Sequence, residues 1–123
     1  MLLSVSVMHN EKQPGLTLKR TINLPFIPHD IALAAVGSLL MVEVDAPRVH
    51  KLDGDGNLVT SWGSAGSGEG QFAFSPPPNA PPLDGGFVVV GTNNHVYVSD
   101  SYNNRVQLFD PDGKFVSMWT TYG

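Results

Sequence analysis

The sequence predicts an all-β fold assembled from repeated four-stranded antiparallel units, and three observations carry that expectation. Short apolar and β-branched runs, such as Val96-Tyr97-Val98 and Arg105-Val106-Gln107-Leu108-Phe109, alternate with clusters of Asp, Asn, Pro and Gly. That is the punctuation of antiparallel strands. The chain also repeats itself: shifted by 57 positions, residues 37–62 lie over residues 94–119 without a gap. Arg48 falls on Arg105, Val49 on Val106 and Asp53 on Asp110, while Asp55, Gly56, Val59 and Trp62 fall on Asp112, Gly113, Val116 and Trp119. Finally, 123 residues with 41% hydrophobic and 15% charged side chains, 13 Gly and 10 Pro describe a small, turn-rich globular unit.

Taken in order, residues 2–8 set Leu3, Val5 and Val7 against Ser4 and Ser6, which is strand periodicity. Residues 9–15 form a turn marked by Pro14-Gly15, and residues 16–22 return as a second strand. That strand stands where residues 58–62 and 115–119 stand in the repeats, so residues 1–22 read as the outer half of a unit. Residues 23–63 make the first full unit, with strands at 31–33, 39–43, 48–52 and 58–62. Residues 31–42 are Ala- and Leu-rich enough to consider a helix, but Gly37-Ser38 and the alignment with the β-branched run 88–98 favour strands. Residues 64–86 join the units. Of these, 64–70 read as a flexible loop and 74–86 as a Pro-rich surface loop, because proline removes the donors a central strand needs. A polyproline ligand for a partner is the alternative for the second stretch. Residues 87–123 make the second full unit, with the hairpin turn Asp110-Pro111-Asp112-Gly113 between its last two strands.

A small twisted sheet of four short strands has two faces to cover, so each unit needs a neighbour on either side. The residues here carry a resemblance. The run GSGEGQF at 66–72, the stretch 96–119 and the opening PHDIALA at 28–34 look like NHL repeats, and the similarity extends over about residues 26–123. At 39–63 Ala46-Pro47 replaces the Asn-rich turn that Asn103-Asn104 retain. The resemblance implies a partial β-propeller: two four-stranded antiparallel blades plus an N-terminal half-blade. Propellers close with at least about four blades. Such a chain is therefore expected to be part of a longer propeller or to assemble with copies of itself through exposed apolar blade faces.

Composition excludes several functions. Zero cysteines rule out disulfides and thiolate metal sites, and no run approaches the ~20 apolar residues of a membrane span. Residues 1–8 lack a basic leader and a clear cleavage site, which makes a poor signal peptide, and no compartment is indicated. A net charge of −4 with scattered Lys and Arg counts against a nucleic-acid surface. No nucleophile elbow, P-loop or dinucleotide fingerprint occurs.

Three sets of residues invite a chemical reading. Asp53-Gly54-Asp55-Gly56-Asn57 resembles the start of a calcium loop, but Ser64 stands where the closing acid belongs, and a tight hairpin demands the same residues. Arg48 and Arg105, matched by Glu43 and Asp100, read as an Arg–carboxylate bridge inside each blade, and Trp62 and Trp119 as packing between blades. His29, in Pro28-His29-Asp30, is similar to the Pro-His segment of the propeller lyase that cleaves peptidyl-hydroxyglycine during peptide amidation. There the resemblance implies a zinc ligand, and such a centre needs about three protein ligands. His9, His50 and His95 do not obviously face the same channel.

The leading expectation is a non-catalytic binding scaffold whose loops meet a protein or small ligand, with no cofactor. The alternative leaves enzyme activity open: a lyase or lactonase-type propeller with zinc or calcium in its central channel and His29 on the metal. RNA binding through a propeller face comes third.

Overall fold

A computed structural model describes residues 2–7, 17–83 and 85–120. It is all-β, apart from three single-turn 3-10 segments at Ala35–Gly37, Thr92–Asn94 and Ser101–Asn103. Strands β1 (Leu2–Val7) and β2 (Thr17–Asn23) form an antiparallel pair. Strands β3 (Pro28–Leu33), β4 (Leu39–Glu43), β5 (Arg48–Leu52) and β6 (Leu58–Trp62) form the first four-stranded sheet, in chain order. Strands β7 (Phe87–Val90), β8 (Val96–Asp100), β9 (Arg105–Phe109) and β10 (Phe115–Thr120) form the second, in the same order. All these pairings are antiparallel, as a meander of short strands joined by tight turns must be. The two sheets are the blades of a partial β-propeller.

The helix considered for residues 31–42 is absent. Strands β3 and β4 pair there instead, Leu33 opposite Leu39, across a 3-10 turn in which Gly37 takes φ +77°. Strand β3 begins three residues earlier than the sequence pattern placed it, at Pro28. Proline is tolerated at the first residue of an edge strand because no ladder donor is needed there. The β8–β9 corner ends on Asn104 at φ +54°, a left-handed position that asparagine tolerates. Pro47, at the matching place in blade 1, has its φ locked near −65° and cannot follow, so that corner is built differently.

The burial pattern explains why the two sheets read differently in sequence. Residues 39–42 are all buried, since β4 in the middle of blade 1 is covered on both faces. One face packs Leu40, Val42 and Val49 against Val88, Val96, Val98 and Phe109 of blade 2. The other packs Leu39, Met41 and Leu52 against Leu24, Phe26 and Ile22. In blade 2 one face alone is covered, so Val96–Asp100 alternates between buried and exposed. The uncovered face shows Val89 at 61%, Trp119 at 51% and Val116 at 49% exposure. Each fully buried side chain of this kind contributes about 1.5–3 kcal/mol.

Polar contacts fix the angle between the blades. The carboxylate of Asp30 accepts the Val88 N–H at 2.8 Å, Asn94 Oδ1 accepts the Ala35 N–H at 3.0 Å, and Lys51 Nζ donates to the Pro111 carbonyl at 2.8 Å. The sheets approach most closely along β3 and β7. Trp62 lies across the junction with its ring 5.6 Å from Phe109 and against Gly113. Ile22 lies against Gly56 in the corresponding way. Strand β2 thus meets blade 1 as β6 meets blade 2, the arrangement expected of an outer half-blade.

Candidate functional site

The most elaborate polar structure lies where the 63–73 connection crosses blade 2. Strand β8 ends on Asp100, whose carboxylate is 0% exposed. A bare buried carboxylate would be expensive, and here it is fully paired. It accepts from Arg105 Nε at 2.7 Å, the Ala73 N–H at 2.7 Å, Asn103 Nδ2 at 2.9 Å and Gln107 Nε2 at 3.2 Å. The guanidinium of Arg105 then spreads its remaining donors over the carbonyls of Ser67 at 2.9 Å, Gly68 at 2.7 Å and Gln71 at 2.9 Å. Gln107 holds Gln71 and Gly70, and Asn103 holds the Gly66 carbonyl. The planar fork of arginine suits this, because it meets several carbonyls at once with little further ordering. Residues 64–70 are therefore a braced loop, not the flexible one the glycines imply. Loop backbone can lie this close to the sheet because its carbonyls are satisfied.

The Pro-rich stretch is exposed along 75–83 except at Pro76 and Ala80, but its base is part of the core. Phe74 is fully buried and stacks on Phe72 with centroids 4.8 Å apart. The Gly85 N–H closes the loop onto the Phe74 carbonyl at 2.7 Å, and the Tyr102 hydroxyl donates to the Leu83 carbonyl.

Blade 1 corrects part of the charge expectation. Arg105 and Asp100 form the predicted bridge, but Arg48 is exposed and Glu43 bonds His50 instead, Nε2 to Oε1 at 2.9 Å. His50 also bonds Ser61 Oγ through Nδ1 at 2.7 Å and stacks on Phe26 at 4.0 Å. Histidine stands where blade 2 has Gln107 and takes over the carboxylate. Trp62 packs between the blades as expected, whereas Trp119 is half exposed and stacks on Tyr97 at 6.2 Å.

Of the proposed metal residues, His29 sits at the start of β3 on the exposed face it shares with Ile31 and Leu33. Its ring lies 5.3 Å from Phe87 on the neighbouring inner strand. His50 is buried in the Glu43–Ser61 arrangement, His95 follows the 3-10 turn before β8, and His9 lies outside the described residues. Among the described residues no three His, Cys, Asp or Glu side chains converge. The calcium-like loop is a hairpin turn. Asp53 Oδ1 accepts the N–H groups of Asp55 and Asn57 at 2.9 Å, and Asp110 Oδ1 those of Asp112 and Lys114 at 2.9 Å. These bonds, that from Lys114 foremost, hold the Asp110 carboxyl below its ordinary 3.8.

Beside the braced loop, at the blade junction, lies an open groove of about 460 Å³. It is lined by Val44, Asp45 and Pro47 of the β4–β5 corner, by residues 65–67 and 72–75 of the connection, and by Asn103. Sequence reasoning missed this feature, together with Gln107 and Asn103 as members of the polar cluster. The signal available was the apolar pair Phe72 and Phe74, matched forty-eight positions earlier by Leu24 and Phe26, which lay hidden inside a Gly/Pro-rich connection.

Comparison with known proteins agrees with the architecture. Residues 86–109 match the NHL repeat. The chain is 32% identical over 101 residues to the peptidylglycine alpha-amidating monooxygenase of Rattus norvegicus, covering 79% of this chain and 10% of that protein. It is 30% identical over 95 residues to the probable peptidyl-alpha-hydroxyglycine alpha-amidating lyase of Caenorhabditis elegans, covering 75% of this chain and 25% of that one. The chain thus spans a tenth to a quarter of the length of these relatives. No helix among the described residues is long and apolar enough to cross a membrane.

Proposed function

The chain carries an NHL repeat in a two-blade β-propeller architecture, and from that premise we propose that it is a non-catalytic binding scaffold presenting its loop surface to a protein or small ligand. The observation that carries this reading is the bracing of residues 66–73 by Asp100, Arg105, Gln107 and Asn103. A loop held in one shape by the sheet beneath it loses little entropy on binding, which is how rigid scaffolds gain affinity. The uncovered face of blade 2, with Val89, Val116 and Trp119, takes another blade, from a longer propeller or a second copy.

The relatives named for amidating activity favour a second reading. His29 stands on an inner strand with its side chain exposed, where one ligand of a zinc centre could be offered to a channel. The remaining ligands would come from outside the described residues. One experiment separates the two readings: metal analysis of the purified chain together with glyoxylate release from a peptide ending in α-hydroxyglycine. The scaffold reading expects neither stoichiometric metal nor turnover. Turnover that disappears with the metal in His29→Ala replaces it with the lyase.

A further inference from the structure

The groove at the blade junction has a chemical character that narrows its partner. Its volume of about 460 Å³ falls within the ~300–1,000 Å³ typical of ligand sites. Its walls are largely apolar or backbone, and the backbone is already committed. The Gly66 carbonyl accepts from Asn103, the Ser67 carbonyl from Arg105, and the Ala73 N–H donates to Asp100. Among the described residues Asp45 supplies the one ionisable side chain of the lining, and the Arg105 charge behind it is already spent on Asp100 and the loop carbonyls. The Asp45 carboxylate is exposed, with no hydrogen bond or ion pair among the described residues. The hydroxyls of Ser67 and Ser75 add neutral polar groups.

We infer that this groove docks a lysine or arginine side chain carried by an exposed segment of a partner protein. The inference rests on the scaffold reading and gives that reading a site. The aliphatic stem of the basic residue lies over Val44, Pro47 and Ala65 while its charge meets Asp45, the division of labour that long cationic side chains make on mixed surfaces. The Gly66 and Ser67 backbone of the lining is pinned by Asn103 and Arg105, so this part of the groove is held in shape without a ligand. An acidic segment would meet an uncompensated carboxylate, and a purely apolar one would leave that carboxylate partly desolvated and unpaired.

The test uses the isotopically labelled whole chain and a blocked pentapeptide with one arginine among alanines. Matching peptides carry glutamate or leucine at the same place. The arginine peptide is expected to move the amide resonances of residues 44–47 and 65–75, and the glutamate peptide to leave them in place. Asp45→Asn should weaken that binding roughly two- to fivefold, and Asp45→Glu should restore it. Added salt should weaken it as well. Equal binding of the three peptides, or an unchanged affinity in Asp45→Asn, overturns the inference. Shifts confined to other loops, or no binding up to millimolar peptide, overturn it too, and all four outcomes leave the scaffold reading standing. Glyoxylate release in the separate assay would remove the scaffold reading itself.

Discussion

The two blades carry the same arginine at the same place and use it in opposite ways. In blade 2 Arg105 is buried and gathers three carbonyls of the loop above it, whereas in blade 1 Arg48 stands on the surface. The cause lies outside both blades, in the length of the chain that reaches them. Nine residues separate Trp62 from Phe72, and these form the loop that Arg105 holds. Asn23 alone separates Ile22 from Leu24, so no corresponding loop can lie over Arg48. With its carbonyl partners gone, the arginine gains nothing from burial, and His50 and Phe26 close the corner around Glu43 instead. A repeated residue therefore reports a repeated backbone position. Its job depends on what the connections bring to it.

The largest consequence is an asymmetry in stability. Replacing Arg105 by alanine strips a buried carboxylate of its counter-charge and leaves the Ser67 and Gly68 carbonyls without that donor, while the Gln71 carbonyl keeps its bond from Gln107 alone. The expected loss is about 3–5 kcal/mol. Arg48→Ala removes an exposed side chain and should stay within about 0.5 kcal/mol of the parent. Urea unfolding of the two variants measures the difference. Similar losses would mean that Arg48 is engaged in solution and that the blades are more alike than this geometry allows.

A smaller asymmetry is expected at the hairpin glycines. Gly56 and Gly113 both take positive φ, +84° and +89°, so alanine at either position pays the left-handed penalty of about 1–2 kcal/mol. What the added methyl meets differs. At Gly113 it runs into the Trp62 indole, a rigid plate wedged against Phe109, while at Gly56 it meets the end of the more adaptable Ile22 side chain. Gly113→Ala should cost about 2–4 kcal/mol and Gly56→Ala about 1–2 kcal/mol, read from thermal or urea midpoints. Equal costs would place the whole effect in turn strain and remove any role for the indole.

These contrasts also mark how far sequence reasoning reaches. Strands β4, β5, β6 and β9 fall on the residues their pattern predicts, because alternation and turn chemistry act within a few residues. The Asp100–Arg105 bridge was legible for the same reason: its partners are five positions apart on paired strands. What lay beyond reach was the use of the 64–73 connection. Glycine content reads as flexibility when nothing shows which side chains will take the loop carbonyls, and those side chains sit more than thirty positions away. Phe72 and Phe74 were obscured by the prolines that follow them, although a paired aromatic is a costly thing to leave on a surface loop. The groove follows from the same long-range placement, since its lining joins a corner of blade 1 to the connection that blade 2 braces.

The smallest expected effect concerns the hairpin turns. Asp53 and Asp110 each accept two backbone N–H groups, but Lys114 follows Asp110 where Asn57 follows Asp53. The amide of Lys114 is the main cause of the lowered Asp110 pKa; the amides of Asp112 and Gly113 and the Lys114 charge also lower it, while desolvation opposes the shift. A carboxyl whose folded pKa is depressed favours the folded state above its unfolded value. That contribution fades as pH falls from about 3.8 through the lower folded value. Because Asp110 lies in a surface turn and its bonds are all within that turn, the effect is a local loosening of the β9–β10 turn and not a global acid transition. Carboxyl-carbon titration by nuclear magnetic resonance should place the Asp110 midpoint below 3.8. Lys114→Asn, which gives the turn its blade 1 residue, should raise that midpoint only part of the way, since the backbone amide at this position remains. A midpoint restored in full would assign the shift to the ammonium charge and make the two turns differ in electrostatics alone.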